Sequence, residues 1–557
     1  MKIDKKSALN FCPCVGCFIF FISLFLNSCN KPNIENNTTN AQSSQSIRFE
    51  KLTQQYSKKD SKNFELINNI KSGIDFKFDL GDFYSRAKEY IFATPMGGVA
   101  TGDFNGDSLP DIYFTSPSGG NRLYKNLGDF KFADVTKSAM IEDNTIWGTG
   151  AGFVDINGDG HLDIYACGYM TPNKIFMNNG DETFTEKSSS IGLNHLGASM
   201  NLNFADIDGD GDLDAYLATT TKLPPPGTKF GVNFVKQKDG SEKPIIPKEI
   251  AEYWQFIYLP DKKVHKTEAG QADKIFINKN GVFEDATTQS GIKGNYFTLS
   301  ATWWDYDSDG DPDIYVSNDF TGPDMLYKNN GNGVFKDTIL SSIPHTPWFS
   351  MGSDSADVNN DGLIDLFATD MAATSHYREK VMMGNMNDMG WFLEHANPRQ
   401  YMRNALYINT GTDKMLESAF LSGIASTDWS WSPRLEDFDC DGLIDLFVTN
   451  GVIRDSMNSD LSIMADKQFK GGSPEWRKFW TNQKMRKERN LAYKNTGNLK
   501  FVPTGNLWGL DHEGVSLGAA TADFDGDGDL DIVVNNADGQ PLLYKNNTTN
   551  NRISIKL

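Results

Sequence analysis

Asp523-Phe524-Asp525-Gly526-Asp527-Gly528-Asp529-Leu530-Asp531 is one of seven copies of a nine-residue pattern, Asp-x-[Asp/Asn]-x-Asp-x-x-x-Asp. The other copies begin at Asp103, Asp155, Asp206, Asp305, Asp357 and Asp437. When the backbone curls tightly, side-chain oxygens at positions 1, 3, 5 and 9 and the carbonyl at position 7 converge. Such an all-oxygen cage suits a hard cation, Ca²⁺ above all. The expected donors are Asp103, Asn105, Asp107, Leu109 and Asp111 in the first copy, and Asp155, Asn157, Asp159, His161 and Asp163 in the second. The third has Asp206, Asp208, Asp210, Asp212 and Asp214, and the fourth Asp305, Asp307, Asp309, Asp311 and Asp313. The fifth has Asp357, Asn359, Asp361, Leu363 and Asp365, and the sixth Asp437, Asp439, Asp441, Leu443 and Asp445. Asp523, Asp525, Asp527, Asp529 and Asp531 complete the series. Leu109, His161, Leu363 and Leu443 stand at position 7, where only a backbone carbonyl is needed.

An EF-hand would carry a bidentate Glu at position 12 and a helix on either side. Position 12 here is Phe114, Ala166, Leu217, Val316, Ala368, Val448 and Val534, all apolar. The residues after each loop read as strand, as in Asp111-Ile-Tyr-Phe114 and Asp531-Ile-Val-Val534. Position 2 is apolar in every copy, as an anchor to a core requires. Ser108 replaces the glycine that eases the turn in the other loops, which marks the first as the weakest.

A second signature comes after each loop, for example Leu123-Tyr-Lys-Asn126, Ile275-Phe-Ile-Asn278 and Leu543-Tyr-Lys-Asn546. Most copies add a third, such as Phe132-Ala-Asp-Val-Thr136 or Phe283-Glu-Asp-Ala-Thr287. With the strand before the loop, each repeat holds four strands. Four-stranded units recurring about every 50 residues are propeller blades. The expected fold is therefore all-β: a seven-bladed propeller with calcium-binding loops. The third signature is missing after Asn546, and Phe49-Glu-Lys-Leu-Thr53 is expected to supply it as the outer strand of the last blade.

Gly97-Gly-Val-Ala-Thr-Gly-Asp-Phe-Asn-Gly-Asp107, Ser350-Met-Gly-Ser-Asp354, Thr427-Asp-Trp-Ser-Trp431, Asp437-Phe-Asp-Cys-Asp-Gly442 and Thr449-Asn-Gly-Val-Ile-Arg-Asp455 carry a resemblance. The chain resembles proteins with FG-GAP (VCBS) repeats, the calcium-loop propellers also found in integrin α-subunit heads. Within that group it is similar to the bacterial cartilage-acidic-protein-like proteins. The resemblance implies a propeller over residues 47–550, and Asn551 to Leu557 resembles the first strand of the ASPIC/UnbV domain that comes next in such proteins.

A net charge of −20 argues against nucleic acid as a partner, because no basic stripe is available to displace counterions. Seven divalent ions would offset most of it. Residues 1–29 read as a lipoprotein signal peptide: Lys2, Lys5 and Lys6, then an apolar run from Phe11, then Leu26-Asn-Ser-Cys29 resembling a bacterial lipobox. Cys29 is the expected lipidation site, and residues 30–46 a polar tether. Asn30 comes next, where inner-membrane retention favours Asp. The expected location is the outer membrane of a bacterial envelope, on a lipid anchor. Of the six cysteines only Cys167 and Cys440 lie beyond that segment, on distant blades, so no disulfide is expected.

No catalytic constellation emerges. Gly514-Val-Ser-Leu-Gly518 matches the nucleophile-elbow pattern, but Ser516 enters a strand before a loop, without the required strand-turn-helix context. Gly148-Thr-Gly-Ala-Gly152 likewise has no helix after it. The blade topology places three long insertions, about residues 221–272, 371–402 and 452–488, on the face opposite the acidic loops. Trp147, Trp254, Trp348, Trp391, Trp429, Trp431, Trp476, Trp480 and Trp508 fall in loops of that face, and a basic cluster (Arg477, Lys478, Lys484, Arg486, Lys487, Arg489) joins them. The expected function is non-catalytic: an envelope scaffold that binds protein or glycan through this aromatic face. The alternative is a calcium-dependent carbohydrate-active enzyme on a propeller, which requires paired carboxylates in a deep pocket there.

Overall fold

The computed structural model describes residues 63–80, 97–118, 120–223, 228, 231–382 and 389–550. The signal segment, Cys29, the tether, Phe49–Thr53 and residues 551–557 lie outside them.

The fold is a β-propeller, and seven four-stranded antiparallel sheets are its blades. The first runs Val99–Gly102, Asp111–Phe114, Arg122–Asn126, Phe132–Asp134, each strand pairing with the next. The fourth, Phe297–Trp304, Asp313–Asp319, Met325–Asn329, Phe335–Asp337, repeats the pattern with longer inner strands. Blades two and three are hydrogen-bonded to each other, because Asp163–Pro172 runs on past its blade and pairs Leu196 with Pro172. The innermost strands adjoin in a closed cycle: Val99–Gly102 neighbours Gly148–Val154 on one side and Ser516–Ala522 on the other. Gly98 N donates to Thr149 O at 3.0 Å, and Gly518 N to Gly97 O at 3.1 Å.

The second strand of every blade is buried on both faces, apart from the end of Asp163–Pro172 that runs on past blade two. Asp111–Phe114, Asp214–Thr219, Asp365–Ala368, Asp445–Asn450 and Asp531–Asn536 contain no exposed residue. This is why these strands read as continuous β-branched and aromatic runs rather than as alternating ones. Apolar clusters fill the space between consecutive blades. Phe104, Tyr113, Ile164 and Phe176 join blades one and two, and Phe438, Phe447, Ile532 and Tyr544 join blades six and seven. A further cluster closes the cycle, with Ile112, Phe132, Phe524 and Val533 joining blade seven to blade one.

The last blade is completed from the N-terminal side, but by a different segment from the one expected. Phe64–Ile67 pairs antiparallel with Leu542–Asn546, Phe64 opposite Asn546. The other blades use the same register: Phe132 opposite Asn126, Phe335 opposite Asn329, Phe501 opposite Asn495. Phe49–Thr53 therefore does not hold that place. The short helix Asn69–Ser72 comes next, capped by the Asn68 side chain accepting from Lys71 N at 2.9 Å and closed by Gly73 at φ +76°.

The three insertions carry their own secondary structure and pack against one another. The first carries two hairpins, Asn233–Lys236 with Glu242–Ile245 and Trp254–Tyr258 with Val264–Glu268. The second carries helices His376–Val381 and Gly390–His395, and the third Ser459–Gln468 and Pro474–Thr481. Arg378 pairs with the buried Glu488, which Arg486 also meets at 3.1 Å. Arg486 reaches Asp455 at 2.6 Å and lies 4.8 Å from the Trp429 ring centre, which ties the second insertion to the third. Among the described residues no helix is long and apolar enough to cross a membrane. Cys167 is buried and Cys440 is half-buried.

Candidate metal loops and axial cavity

Each acidic loop is organised around the aspartate at position 9. Asp111, Asp163, Asp214, Asp313, Asp365, Asp445 and Asp531 are all fully buried. One oxygen of each accepts from the backbone N of position 2, as from Phe104 to Asp111 at 3.1 Å and from Phe524 to Asp531 at 2.9 Å. The other accepts from the asparagine that ends the third strand, as from Asn126 N to Asp111 at 2.8 Å and from Asn546 N to Asp531 at 2.7 Å. Burial pushes these carboxyls up to about 7 for Asp111, Asp214, Asp313 and Asp365, to about 6 for Asp163 and to about 8 for Asp445. Backbone donors hold them back and neighbouring loop carboxylates add to the rise.

The same asparagine joins blades. Asn126 Nδ2 donates to Phe524 O at 2.9 Å, Asn178 to Phe104 O at 2.8 Å, Asn409 to Tyr306 O at 2.7 Å, and Asn546 to Phe438 O at 2.7 Å. Each acceptor is position 2 of the preceding blade's loop. This explains the Asn of the Leu-Tyr-Lys-Asn signature, whose role sequence reasoning missed although the residue recurs in every repeat.

Position 1 closes the curl. Asp523 accepts from Asp527 N at 3.0 Å and Gly528 N at 2.8 Å, and Asp103 accepts from Asp107 N at 3.0 Å and Ser108 N at 2.7 Å. In loops with Asn at position 3 the amide donates to position 5, as Asn105 does to Asp107 and Asn157 to Asp159, both at 2.9 Å. In loops four, six and seven a lysine from the third strand takes that part. Lys328 meets Asp307 and, at 3.0 Å, Asp309; Lys494 meets Asp439 and, at 2.6 Å, Asp441; Lys545 meets Asp525 and, at 3.4 Å, Asp527. The third loop has no such ammonium, because Ile277 occupies the lysine position.

Could these loops hold a metal ion? Carboxylate oxygens of Asp206, Asp208 and Asp210 lie within 4.8 Å of one another. So do those of Asp305, Asp307 and Asp313, of Asp437, Asp439 and Asp445, and of Asp523, Asp525 and Asp531. In all four the Oδ1 of position 3, on Asp208, Asp307, Asp439 and Asp525, is buried without a hydrogen-bond partner. A buried orphan carboxylate oxygen within an all-oxygen set is what a hard cation would satisfy. The residues fit such an ion.

At the other end of the ring axis the starts of the inner strands enclose a cavity of about 650 Å³, to which every blade contributes, from Gly98 and Ala151 round to Leu517. The insertions roof it with Trp254, Lys266 and Glu268 from the first, Met371, Met389 and Trp391 from the second, and Met457 from the third. Trp429 and Trp431 line it as well. Trp391 stacks on His265 with centroids 4.1 Å apart, and Lys266 Nζ lies 3.7 Å from the Trp254 ring centre.

The remaining tryptophans are packed elsewhere. Trp147 is buried against Tyr169, Trp348 stacks between Phe349 and Phe392, and Trp480 packs with Trp476 and Phe479. Trp508 is buried between blades six and seven, 6.3 Å from Phe64. Of the basic cluster, Arg486 lies within the Glu488 network and Lys487 pairs with Asp538 at 2.5 Å. Ser516 is buried within Ser516–Ala522 and an acidic loop comes after it, so the elbow geometry is absent there. Gly148 opens Gly148–Val154, an inner strand. Asp319, which sequence reasoning passed over, is buried on the cavity wall.

The FG-GAP-like repeat family matches residues 103–166, 155–217, 305–368 and 479–534, so the chain carries FG-GAP repeats. It is similar to cartilage acidic protein 1 of Mus musculus, 22% identical over 485 residues, 78% of this chain and 65% of that protein. It also matches the Xenopus tropicalis and Homo sapiens proteins of that name, at 27% identity over 123 residues and 32% over 80. Those stretches cover 22% and 14% of this chain and 19% and 12% of the relatives, so less than two thirds of each relative is spanned. Among solved structures, a lectin from Burkholderia pseudomallei is 9% identical with a TM-score of 0.42, covering 83% of this chain and 99% of that one. A lectin from Agrocybe aegerita that recognises terminal N-acetylglucosamine is 15% identical with a TM-score of 0.24, covering 58% and 79%. Likeness this low says nothing about a ligand here.

Proposed function

We propose that this is a non-catalytic, calcium-stabilised binding or scaffolding protein of the bacterial envelope. It is held by lipid on Cys29 and recognises a protein or glycan through the aromatic face opposite the acidic loops. The observation that carries the reading is the axial cavity, where all seven inner strands and three insertions converge on Trp254, Trp391, Trp429 and Trp431. A cavity of this size, with aromatic and thioether walls and Lys266, Glu268, Asp319 and Arg434 among them, is the usual form of a ligand site. Calcium's part is structural: the loops link strands within blades, and their position 2 carbonyls take the asparagine latches between blades.

The alternative, a carbohydrate-active enzyme, draws on two carboxylates, Asp319 and Glu268, lining one cavity. Glycan-array and pull-down binding with residues 30–557, alongside turnover assays on whatever is captured, tests both. Saturable binding lost in Trp429→Ala or Trp391→Ala, with the captured glycan or protein recovered intact, supports the proposal. Cleavage of the captured glycan, abolished in Asp319→Asn, would replace it with the enzyme. Binding unchanged in both tryptophan variants would remove this face as the site.

A further inference from the structure

We propose that the axial cavity takes a ligand bearing a primary ammonium group on an apolar body, with Asp319 receiving the ammonium and the aromatic and thioether wall receiving the body. This rests on the reading of that face as a binding site and names its ligand chemistry.

Asp319 ends the second strand of blade four and is 7% exposed. It lines the cavity, and its Oδ1 has no hydrogen-bond partner. A buried carboxylate is normally paired, because stripping water from an ion without replacing its partners is costly. The two fixed cations of the cavity are engaged elsewhere. The Arg434 guanidinium donates to Ala519 O at 2.9 Å from Nε, and the Lys266 ammonium lies over Trp254. The carboxylates near Asp319 do not relieve it. Asp370 accepts from Trp348 N at 2.8 Å and Phe349 N at 3.1 Å, and Asp324 accepts from Asn318 N at 2.8 Å and from Tyr315. Burial, with Asp370 and Asp324 adding their charge and the Phe320 backbone N–H holding it back in part, pushes the Asp319 carboxyl up to about 8, as expected of an acid short of a cation.

The wall beside Asp319 decides which cation. Phe320 and Phe349 lie 6.0 Å apart, and Met351, Met371, Trp429 and Trp431 continue the same surface. These side chains offer no oxygen ligands to a hard metal ion. Among the described residues, the sets of three carboxylate or imidazole ligand atoms close enough for a metal lie in the acidic loops, not here. Aromatic faces attract organic cations, and flexible thioethers adapt to an apolar body. An unpartnered acceptor oxygen calls for an N–H donor, which a primary ammonium supplies and a quaternary one does not.

The test is titration of the calcium-loaded full chain with 2-phenylethylammonium, 2-phenylethanol and 3-phenylpropionate, read by tryptophan fluorescence and calorimetry. The expected result is saturable 1:1 binding of the ammonium, weakened about tenfold or more in Asp319→Asn, with the alcohol and the carboxylate binding at least tenfold more weakly. Asn keeps the side-chain shape, and an unchanged melting curve shows that the variant folds. If it does not fold, the comparison of the three probes on the unsubstituted chain decides. Equal binding of alcohol and ammonium would overturn the charge assignment while leaving the face as a ligand site. No saturable binding of any probe would overturn the inference, and the pull-down would then judge the wider reading on its own.

Discussion

Phe64 lies opposite Asn546, 482 residues away in sequence, and this pairing joins the N-terminal side of the described chain to its last blade. Its ring is 2% exposed and packs 6.1 Å from Phe438 and 6.3 Å from Trp508, so it fills the space between blades six and seven. Asn546 in turn donates to Phe438 O. One register position thus serves strand pairing, core packing and the latch between blades.

Phe64→Ala should therefore cost about 3 to 5 kcal/mol, the usual loss for truncating a buried aromatic. Leu66→Ala, on the same strand but 48% exposed, should cost far less. Urea unfolding of the two variants checks this. Equal effects would mean that the strand does not close the ring in solution.

Ser108 has φ +71° where the equivalent residues of the other loops are glycines, such as Gly160 at +87° and Gly528 at +90°. A Cβ is strained in that region, so Ser108→Gly should raise stability by up to about 1 kcal/mol despite the entropy a glycine adds to the unfolded chain. The melting temperature should rise slightly, and a fall would show that the serine side chain makes a compensating contact.

Lys545→Met should widen the gap in melting temperature between calcium-loaded and chelated protein. Without calcium the ammonium offsets Asp525 and Asp527; with calcium the ion does so. The third loop already has Ile277 in that place, so Ile277→Lys should narrow the gap. Opposite signs would mean that lysine and metal act independently.

The chelated protein should gain stability as pH falls from about 8 towards 5. The position 9 carboxyls of Asp111, Asp214, Asp313 and Asp365 are raised to about 7, so between their unfolded and folded values the folded state binds more protons. Stability then rises as pH drops through that window and levels off near the unfolded value, about 4. Calcium keeps the carboxylates ionised and should flatten the trend. Melting curves across pH with and without chelator provide the check.

The loops and the strand order were legible because both rest on local spacing: seven aspartate patterns, each leading into a buried strand and then an asparagine. Ring closure was legible in kind but not in place. Phe49-Glu-Lys-Leu-Thr53 matches the signature better than Phe64-Glu-Leu-Ile-Asn68 does, because threonine is the commoner residue at its end. The better signal lay just beyond, in Ser72-Gly73, where a serine and a left-handed glycine close a short helix as Ser290 and Gly291 do. The tryptophans divided unpredictably because the insertions have no repeat to fix their packing. Trp429 and Trp431 reach the cavity while Trp348, with the same apparent address, stacks between Phe349 and Phe392. Asp319 was invisible because Asn318-Asp319 reads as the polar end of a strand; only the neighbouring insertion and blade bury it.

If the acidic loops hold calcium, and the ion in turn holds the blades together, the metal must be written into the thermal stability of the ring. Calorimetric melting of the intact chain in excess calcium, after chelation and after calcium is restored reads this without any substitution. The expected result is a lower melting temperature on chelation, recovered by calcium and not by an equal ionic strength of potassium chloride. A melting curve indifferent to chelation would contradict it.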